Sequence, residues 1–476
     1  MSKLESLADE LILEVLRHLR SSRKERYEMQ SNSTDIEGRS TTFSSLCSTS
    51  KRLSSIATPF LYSDIIVATN QQFEPRRILQ IIRTLSDNPP LARHVNYIEH
   101  TIITCKEGFS SKFYQGYERE KYYSSADWDL GRRTLKFAAS RVWTGTYHKL
   151  WTSVLEAYPE MALVALLLRL TPCVSHVYLD LFSHGSSEFW QLLSSDDNTD
   201  GNHGFTNSFF GQLKRIYANF QREAQRTTRA RALPSFARFT QFLQSLPELH
   251  FLSHSGNNMN EMTDGFLPDR LSLKFVKILI LDTCSIPFDE ISTIIKACDG
   301  LQEFMLDLDH DQSDVYFSTI HSALYMKRET LKHIGLYIDM HPDGDFEPFA
   351  GSFAEFEKLQ TLSISALVLM GIPDDFNDNT SSDYSWTTSR PSHRMSALLP
   401  SSLERLSLHS EIMADLSDDT AFLWDFIDDL DQLPQLGWAE IWSLQNSHYE
   451  KLSHAFEKHD VSFKKNTFRQ RSEQTV

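Results

Sequence analysis

Apolar residues fall at Leu7, Leu11, Ile12, Val15, Leu16 and Leu19, the spacing of a single helical stripe, with Asp9, Glu10 and Glu14 on its polar side. Ser6 with Asp9 three residues on is an S-x-x-D capping signature for the start of that helix. The run 20–42 is polar and reads as an exposed linker. Helical spacing resumes at Phe43, Leu46, Cys47, Leu53, Ile56 and Ala57, and Pro59 is expected to end this helix or begin the next turn. The segment "SDIIVAT", Ser63 to Thr69, then reads as a short strand.

From about 70 to 160 the pattern is irregular. It reads as a helix over "RRILQIIRTLSD", a Pro-Pro break and a strand near Val95 to Ile103. Phe109 to Trp151 is crowded with Tyr and Trp without a clean period, as in an insertion or an irregular helical region. Beyond Glu160 a phrase recurs. The leucine-rich-repeat template L-x-x-L-x-L, whose strand residues point into a shared core, fits Val174, Val177 and Leu179. It fits again at Leu246, Leu249 and Phe251; at Val276, Leu279 and Leu281; and at Leu301, Phe304 and Leu306. Further matches are Leu331, Ile334 and Leu336; Leu359, Leu362 and Ile364; and Leu403, Leu406 and Leu408, with "LGWAEI" from Leu436 as a weaker last copy. The starts at 246, 276, 301, 331 and 359 lie 30, 25, 30 and 28 residues apart, with helical patterns such as "FDEISTIIKACDG" between them. One strand and one helix per unit predict an α/β chain that stacks as an irregular solenoid, each unit covering its neighbour's apolar face. The expected divisions are a helical unit over 1–65, a connecting region over 66–160, a solenoid over 161–460 and a polar tail over 461–476. The Ser/Asp/Asn-rich stretches 194–204 and 371–394 read as mobile loops within the solenoid.

Composition narrows the function. A chain of 476 residues exceeds one ordinary core, and 41% apolar with 23% charged residues suits a folded protein. A net charge of −16 argues against a nucleic-acid binder, which needs a basic face. Residues 371–432 hold 13 acidic and 3 basic residues, a net of −10, and hint at a basic partner region. The longest apolar run, Met161 to Leu168, is too short to span a bilayer, and no secretory leader is expected. Five scattered cysteines fit a reducing compartment, cytoplasmic or nuclear.

The motifs of catalysis are missing: no G-x-S-x-G, no phosphate loop, no G-x-G-x-x-G, no H-E-x-x-H and no C-x-x-C. Cys173 with His176 and His184 lacks the fourth ligand that zinc requires. Asp307 to Val315 lacks the central Gly and terminal Glu of a calcium loop. Phe426 to Leu433 and the arginines 222, 226, 229 and 231 read as solvated helix faces. No cofactor, metal or enzymatic activity is expected.

The first 65 residues resemble an F-box. That family opens on Leu-Pro-x-Glu and an Ile/Leu-rich helix, followed by Leu-x-x-Val/Cys-x-x-Ser-Lys/Arg. Here these stand as "LADELILEVLRHL" and "FSSLCSTSKRLSSIATPFLYSDI", with Leu7, Glu10, Ile12, Leu16 and Leu19, then Leu46, Cys47, Ser50, Lys51, Leu53 and Ala57, at the family's positions. "TPFLYSDIIV" is similar to fungal members in which such a turn enters a leucine-rich domain. Three departures stand out: Ala8 for the usual Pro, Leu53 where many members have Trp, and a linker about fifteen residues longer than a usual helix connection. The resemblance implies a non-catalytic adaptor that docks on a Skp-type linker protein of a cullin-RING ubiquitin ligase and presents a substrate protein held by the solenoid. An apolar helix face laid in a partner's groove is the expected mode of docking, through Leu7, Leu11, Ile12, Val15, Leu16 and Leu46. The alternative is a leucine-rich interaction scaffold with a vestigial F-box and no ubiquitin role.

Overall fold

The computed structural model describes residues 7–21, 33–69, 75–102, 126–157, 159–182, 186–194, 210–221, 242–243, 246, 249–255, 271–284, 286, 288–308, 315–338, 346–347, 350–371, 394–409, 421–442 and 446–466. The chain divides into two compact units, 1–248 with 474–476, and 249–473. Both are mixed α/β units built on parallel strands that pair in chain order.

The first unit opens with three helices, α1 (Asp9–Ser21), α2 (Ser33–Thr49) and α3 (Lys51–Ser63). Strands β1 (Asp64–Thr69), β2 (Tyr97–Ile102), β3 (His176–Phe182) and β4 (Arg215–Gln221) follow, each parallel to the one before. Between β1 and β2 stand α4 (Pro75–Asp87) and the short α5 (Pro89–Ala92), which the Pro-Pro pair opens. The connecting region then supplies α6 (Ala126–Val142), α7 (Gly145–Ala157) and α8 (Pro159–Leu170). Register aligns Ile65, Ile98, Val177 and Ile216 in one buried row and Val67, His100, Leu179 and Ala218 in the next. The run from Met161 to Leu168 is the buried middle of α8, and among the described residues no helix is long and apolar enough to cross a membrane.

The second unit begins at β5 (Phe251–Ser255) and β6 (Ile278–Cys284), then alternates helices with strands. Helix α9 (Phe288–Ala297) leads to β7 (Glu303–Leu308), and α10 (Phe317–Tyr325) to β9 (His333–Ile338). The strands β11 (Thr361–Ser365), β12 (Arg405–His409), β13 (Trp438–Trp442) and β14 (Ser462–Asn466) complete an all-parallel ladder. A separate pair, β8 (Val315–Tyr316) with β10 (Phe346–Glu347), stands outside it. One row of the ladder reads Leu252, Leu279, Phe304, Ile334, Leu362, Leu406, Ala439 and Phe463, all buried. That row is the second position of the L-x-x-L-x-L phrase, so the repeated leucines are the core.

The structure corrects four readings. The copy assigned to Leu246, Leu249 and Phe251 is out of register by three. The His250 carbonyl accepts from Lys277 and Ile278 as the Lys277 carbonyl accepts from Gln302 and Glu303, so Leu249, Leu252 and His254 fill the template. A slip of three keeps Leu at both leading positions, which is why sequence alone could not fix it. The stretch 20–42 is not all linker, since α2 begins at Ser33. Once its C-terminal half is packed, each further turn costs little, because elongation adds one hydrogen bond per residue fixed. Pro59 lies inside α3 rather than at its end: Leu53 and Ala57 before it and Phe60 and Leu61 after it pack on one core, outweighing the lost N–H bond. The polar tail holds β14, anchored by buried Val461 and Phe463.

Of the crowded aromatics, Trp143 and Trp151 are core, whereas Phe137 is 59% exposed. The indole rings of Trp143 and Trp151 stack at 6.0 Å, and their N–H groups donate to the carbonyls of Leu192 and Ala162 at 3.3 and 2.9 Å. Cys298 is buried, and burial pushes its thiol up to about 12, as befits a small hydrophobe. Of the candidate stretches, 195–204, 372–393, His184, 309–314 and the arginines 222, 226, 229 and 231 lie outside the described residues.

Candidate partner-docking site

Helix α1 is amphipathic, and two rows of its apolar residues face different ways. Ile12 and Leu16 are each 1% exposed and form a core with Phe43 of α2 and Leu53 and Ala57 of α3. Leu11, Val15 and Leu19 are 55%, 44% and 41% exposed. They stand four residues apart and so line one strip of the helix surface. Leu7 and Leu46 are half-buried against the core. Of the six residues expected to dock, the structure therefore turns two inward, leaves two at the margin, and presents Leu11 and Val15. Leu19 joins them, a residue in the predicted stripe but not among the docking set.

The helix starts at Asp9, with the Ala8 carbonyl accepting from the amides of Leu11 and Ile12; Ser6, expected to cap it, lies outside the described residues. What holds this end is Arg52. Its guanidinium donates to the Asp9 carboxylate at 2.8 Å through Nε and to the Leu7 carbonyl at 2.7 Å. Periodicity gave no sign of this link, which joins residues 43 positions apart. Ser50 caps α3, its hydroxyl oxygen accepting from the Leu53 amide at 3.2 Å. The ring of Phe43 meets Phe60 at 5.9 Å and ties α2 to the far end of α3. Replacing Arg52 by Ala is expected to free the start of α1. Hydrogen exchange across Asp9–Ser21 should rise while exchange in β3 and β4 stays as in the wild type.

At the α2–α3 junction lies a shallow, open depression lined by Cys47, Ser48, Ser50, Lys51, Ser54 and Ser55. It holds neither a base nor a pair of carboxylates. Among the described residues no cluster of His, Cys, Asp and Glu could hold a metal ion. The Nδ1 of His176 lies 2.7 Å from the Ser175 hydroxyl.

No family model and no curated protein matches this sequence. Geometry alone therefore speaks for the site. Three aliphatic side chains in a row on a helix surface make a compact apolar strip. Covering them gains about 0.8 kcal/mol per methylene-sized group, before association costs.

A second surface lies on the ladder of the second unit, on the side turned away from its leucine row. The Tyr337 hydroxyl donates to Ser363 at 2.9 Å, and the Ser363 hydroxyl lies 2.7 Å from Nε2 of His409. The indole of Trp442 donates to Ser407 at 3.1 Å, and Ser407 in turn donates to Glu440 at 3.3 Å. The His409 ring packs edge-on to Tyr337 at 4.6 Å and against Trp442 at 4.5 Å. Gly335 makes room: a Cβ there would stand 3.0 Å from the Tyr337 ring. Strands β9, β11, β12 and β13 thus carry a hydrogen-bonded polar and aromatic face, in which Ser407 and His409 are themselves buried.

Proposed function

We propose that this chain is a non-catalytic adaptor: an F-box-like helical unit docks on a Skp-type linker protein of a cullin-RING ubiquitin ligase, and a leucine-rich-repeat-like solenoid presents a substrate protein. The observation that carries this reading is the outward row Leu11, Val15 and Leu19 on a three-helix unit whose other apolar row, Ile12 and Leu16, closes its own core. An exposed row of this kind on a helix pinned at one end suits a partner's groove. Ser50, at the family's Ser position, has a physical task as the cap of α3. Parallel strands in chain order, with the leucine phrase as their buried row, support the solenoid half of the reading.

The test is a binding experiment between the purified full chain and a purified Skp-type adaptor. The wild type is expected to bind, and the Leu11→Asp/Val15→Asp variant to bind at least about tenfold more weakly with an unchanged melting curve. Equal binding by the variant would place docking elsewhere. A wild type that does not bind would leave the scaffold with a vestigial F-box as the reading to pursue.

A further inference from the structure

In the second unit each ladder strand is entered through a tight turn. The residue just before the template's first position is Gly300, Thr330, Lys358, Ser402 and Gln435 in five of these turns. Before β6 it is Phe275, 51% exposed. A bulky aromatic, left half exposed at a position that otherwise takes small or polar residues, breaks a local rule, and its surroundings decide what that breach serves.

Its surroundings are basic. Lys274 and Lys277 flank it, and both are exposed. The Leu273 amide donates to the Ala297 carbonyl at 2.9 Å, and the Lys327 ammonium to the Lys296 carbonyl at 3.0 Å. The turn bearing Phe275 and the turn bearing Lys327 are therefore both drawn to the C-terminal end of α9. Lys327 also reaches Asp299 at 3.8 Å, and beside it stands Met326, 62% exposed. Lys277 and Lys332 hold the same place before β6 and β9, with Gln302, the residue before β7, between them. Among the described residues Lys274, Lys277, Lys296 and Lys332 make no ion pair. Counting Lys274, Lys277, Lys296, Lys327, Arg328 and Lys332 against Asp299, Glu303 and Glu329 gives a local net of +3, in a chain whose net is −16.

We propose that this edge of the ladder, centred on Phe275, is a docking surface for an acidic peptide segment of another protein, one that places an apolar side chain on Phe275 and carboxylates on the surrounding lysines. Charge complementarity selects that occupant. An anionic bilayer or a nucleic acid would confront the whole chain's negative charge, whereas a short segment meets only charges within a Debye length, about 8 Å at physiological salt. One exposed aromatic amid unpaired cations also fits an interface anchor with a polar rim better than a membrane wedge. This inference stands apart from the adaptor reading and uses none of its residues.

The experiment is selection of a random-peptide phage library on the immobilised full chain, followed by fluorescence anisotropy with the recovered peptide. The expected result is enrichment of peptides in which Asp or Glu flank a large apolar residue. Their affinity should fall about tenfold in Phe275→Ser and at least as far in Lys274→Glu/Lys277→Glu. Both variants change exposed side chains, and equal melting curves check that they remain folded. Rising salt should weaken the binding further. The proposal is overturned if no acidic peptides are enriched, or if those recovered bind Phe275→Ser as tightly as the wild type. Binding of phosphatidylserine vesicles or single-stranded DNA that Phe275→Ser abolishes, without peptide binding, would overturn it too. So would a doubled mass in solution that the same variant halves, because the occupant would then be a second copy of the chain.

Discussion

A Leu16→Asp variant is expected to lose its N-terminal helical unit, whereas Leu11→Asp, five positions earlier on the same helix, keeps it. Leu16 is 1% exposed in a core of five buried side chains, so aspartate there strands a charge with no partner and removes a full aliphatic side chain. Large-to-small changes alone cost about 2–5 kcal/mol at such sites, and the unpaired carboxylate adds to that. A core this small has no other layer to absorb the loss. At Leu11 the side chain is 55% exposed, and the change should fall within about 0.5 kcal/mol of neutral. Hydrogen exchange over α1 and α3 distinguishes the two: exchange there should approach unfolded rates in Leu16→Asp and stay protected in Leu11→Asp. Equal protection in both variants would mean that the two rows of α1 are not divided as described.

The second large effect concerns His100. It occupies the third template position, where β3 has Leu179, and so carries an imidazole into the first unit's core. Its Nε2 lies 2.8 Å from Glu160 at the start of α8, an ion pair by distance although the ring edge is not aimed squarely at the carboxylate. Its Nδ1 lies 2.7 Å from the Asp180 carbonyl. Burial by itself would lower the His100 pKa, but the Glu160 carboxylate, joined by the carbonyl and charge of Asp180, raises it above the usual 6.5. A raised folded-state value makes the stabilisation fully present below pH 6.5 and progressively lost as pH climbs through that raised value. Glu160→Gln is therefore expected to cost about 3–5 kcal/mol near pH 6, and clearly less in alkaline buffer. The double variant His100→Leu/Glu160→Gln should recover most of the loss, because apolar replacement of a buried pair is often neutral or better. Urea unfolding at several pH values reads both; a Glu160→Gln deficit that is flat with pH would refute the assignment.

Much of the ladder was legible because its signal is local. Val276, Leu279 and Leu281 announce a strand whose alternate residues are buried, and the same phrase at Leu301, Leu331, Leu359 and Leu403 announces its neighbours. The strands at Ile98 and Ile216 did not match the phrase because the third position holds His100 and Ala218, and a template of leucines cannot see them. The candidate site was half legible. That α1 buries a stripe follows from spacing, but Leu11 and Ile12 are neighbours on an all-aliphatic arc. Only the placement of Phe43, Leu53 and Ala57 decides which of them is covered. The grip of Arg52 on Asp9 is likewise a fact of tertiary structure that no period records. Phe275 is the opposite case: its oddity lies in the sequence, yet it becomes visible only when register puts Gly300 and Thr330 at the same place.

Strand β14, with its sequence "SFKKN", is bonded to β13 alone among the described strands. A parallel ladder grows by adding such strands, and nothing in its hydrogen bonding says when to stop. Lys464, exposed on that strand, supplies the stop: an incoming copy of the same strand would set cation beside cation at close range. Exchanging Lys464 for Val or Thr is expected to leave the melting curve unchanged and to raise light scattering by the concentrated folded chain.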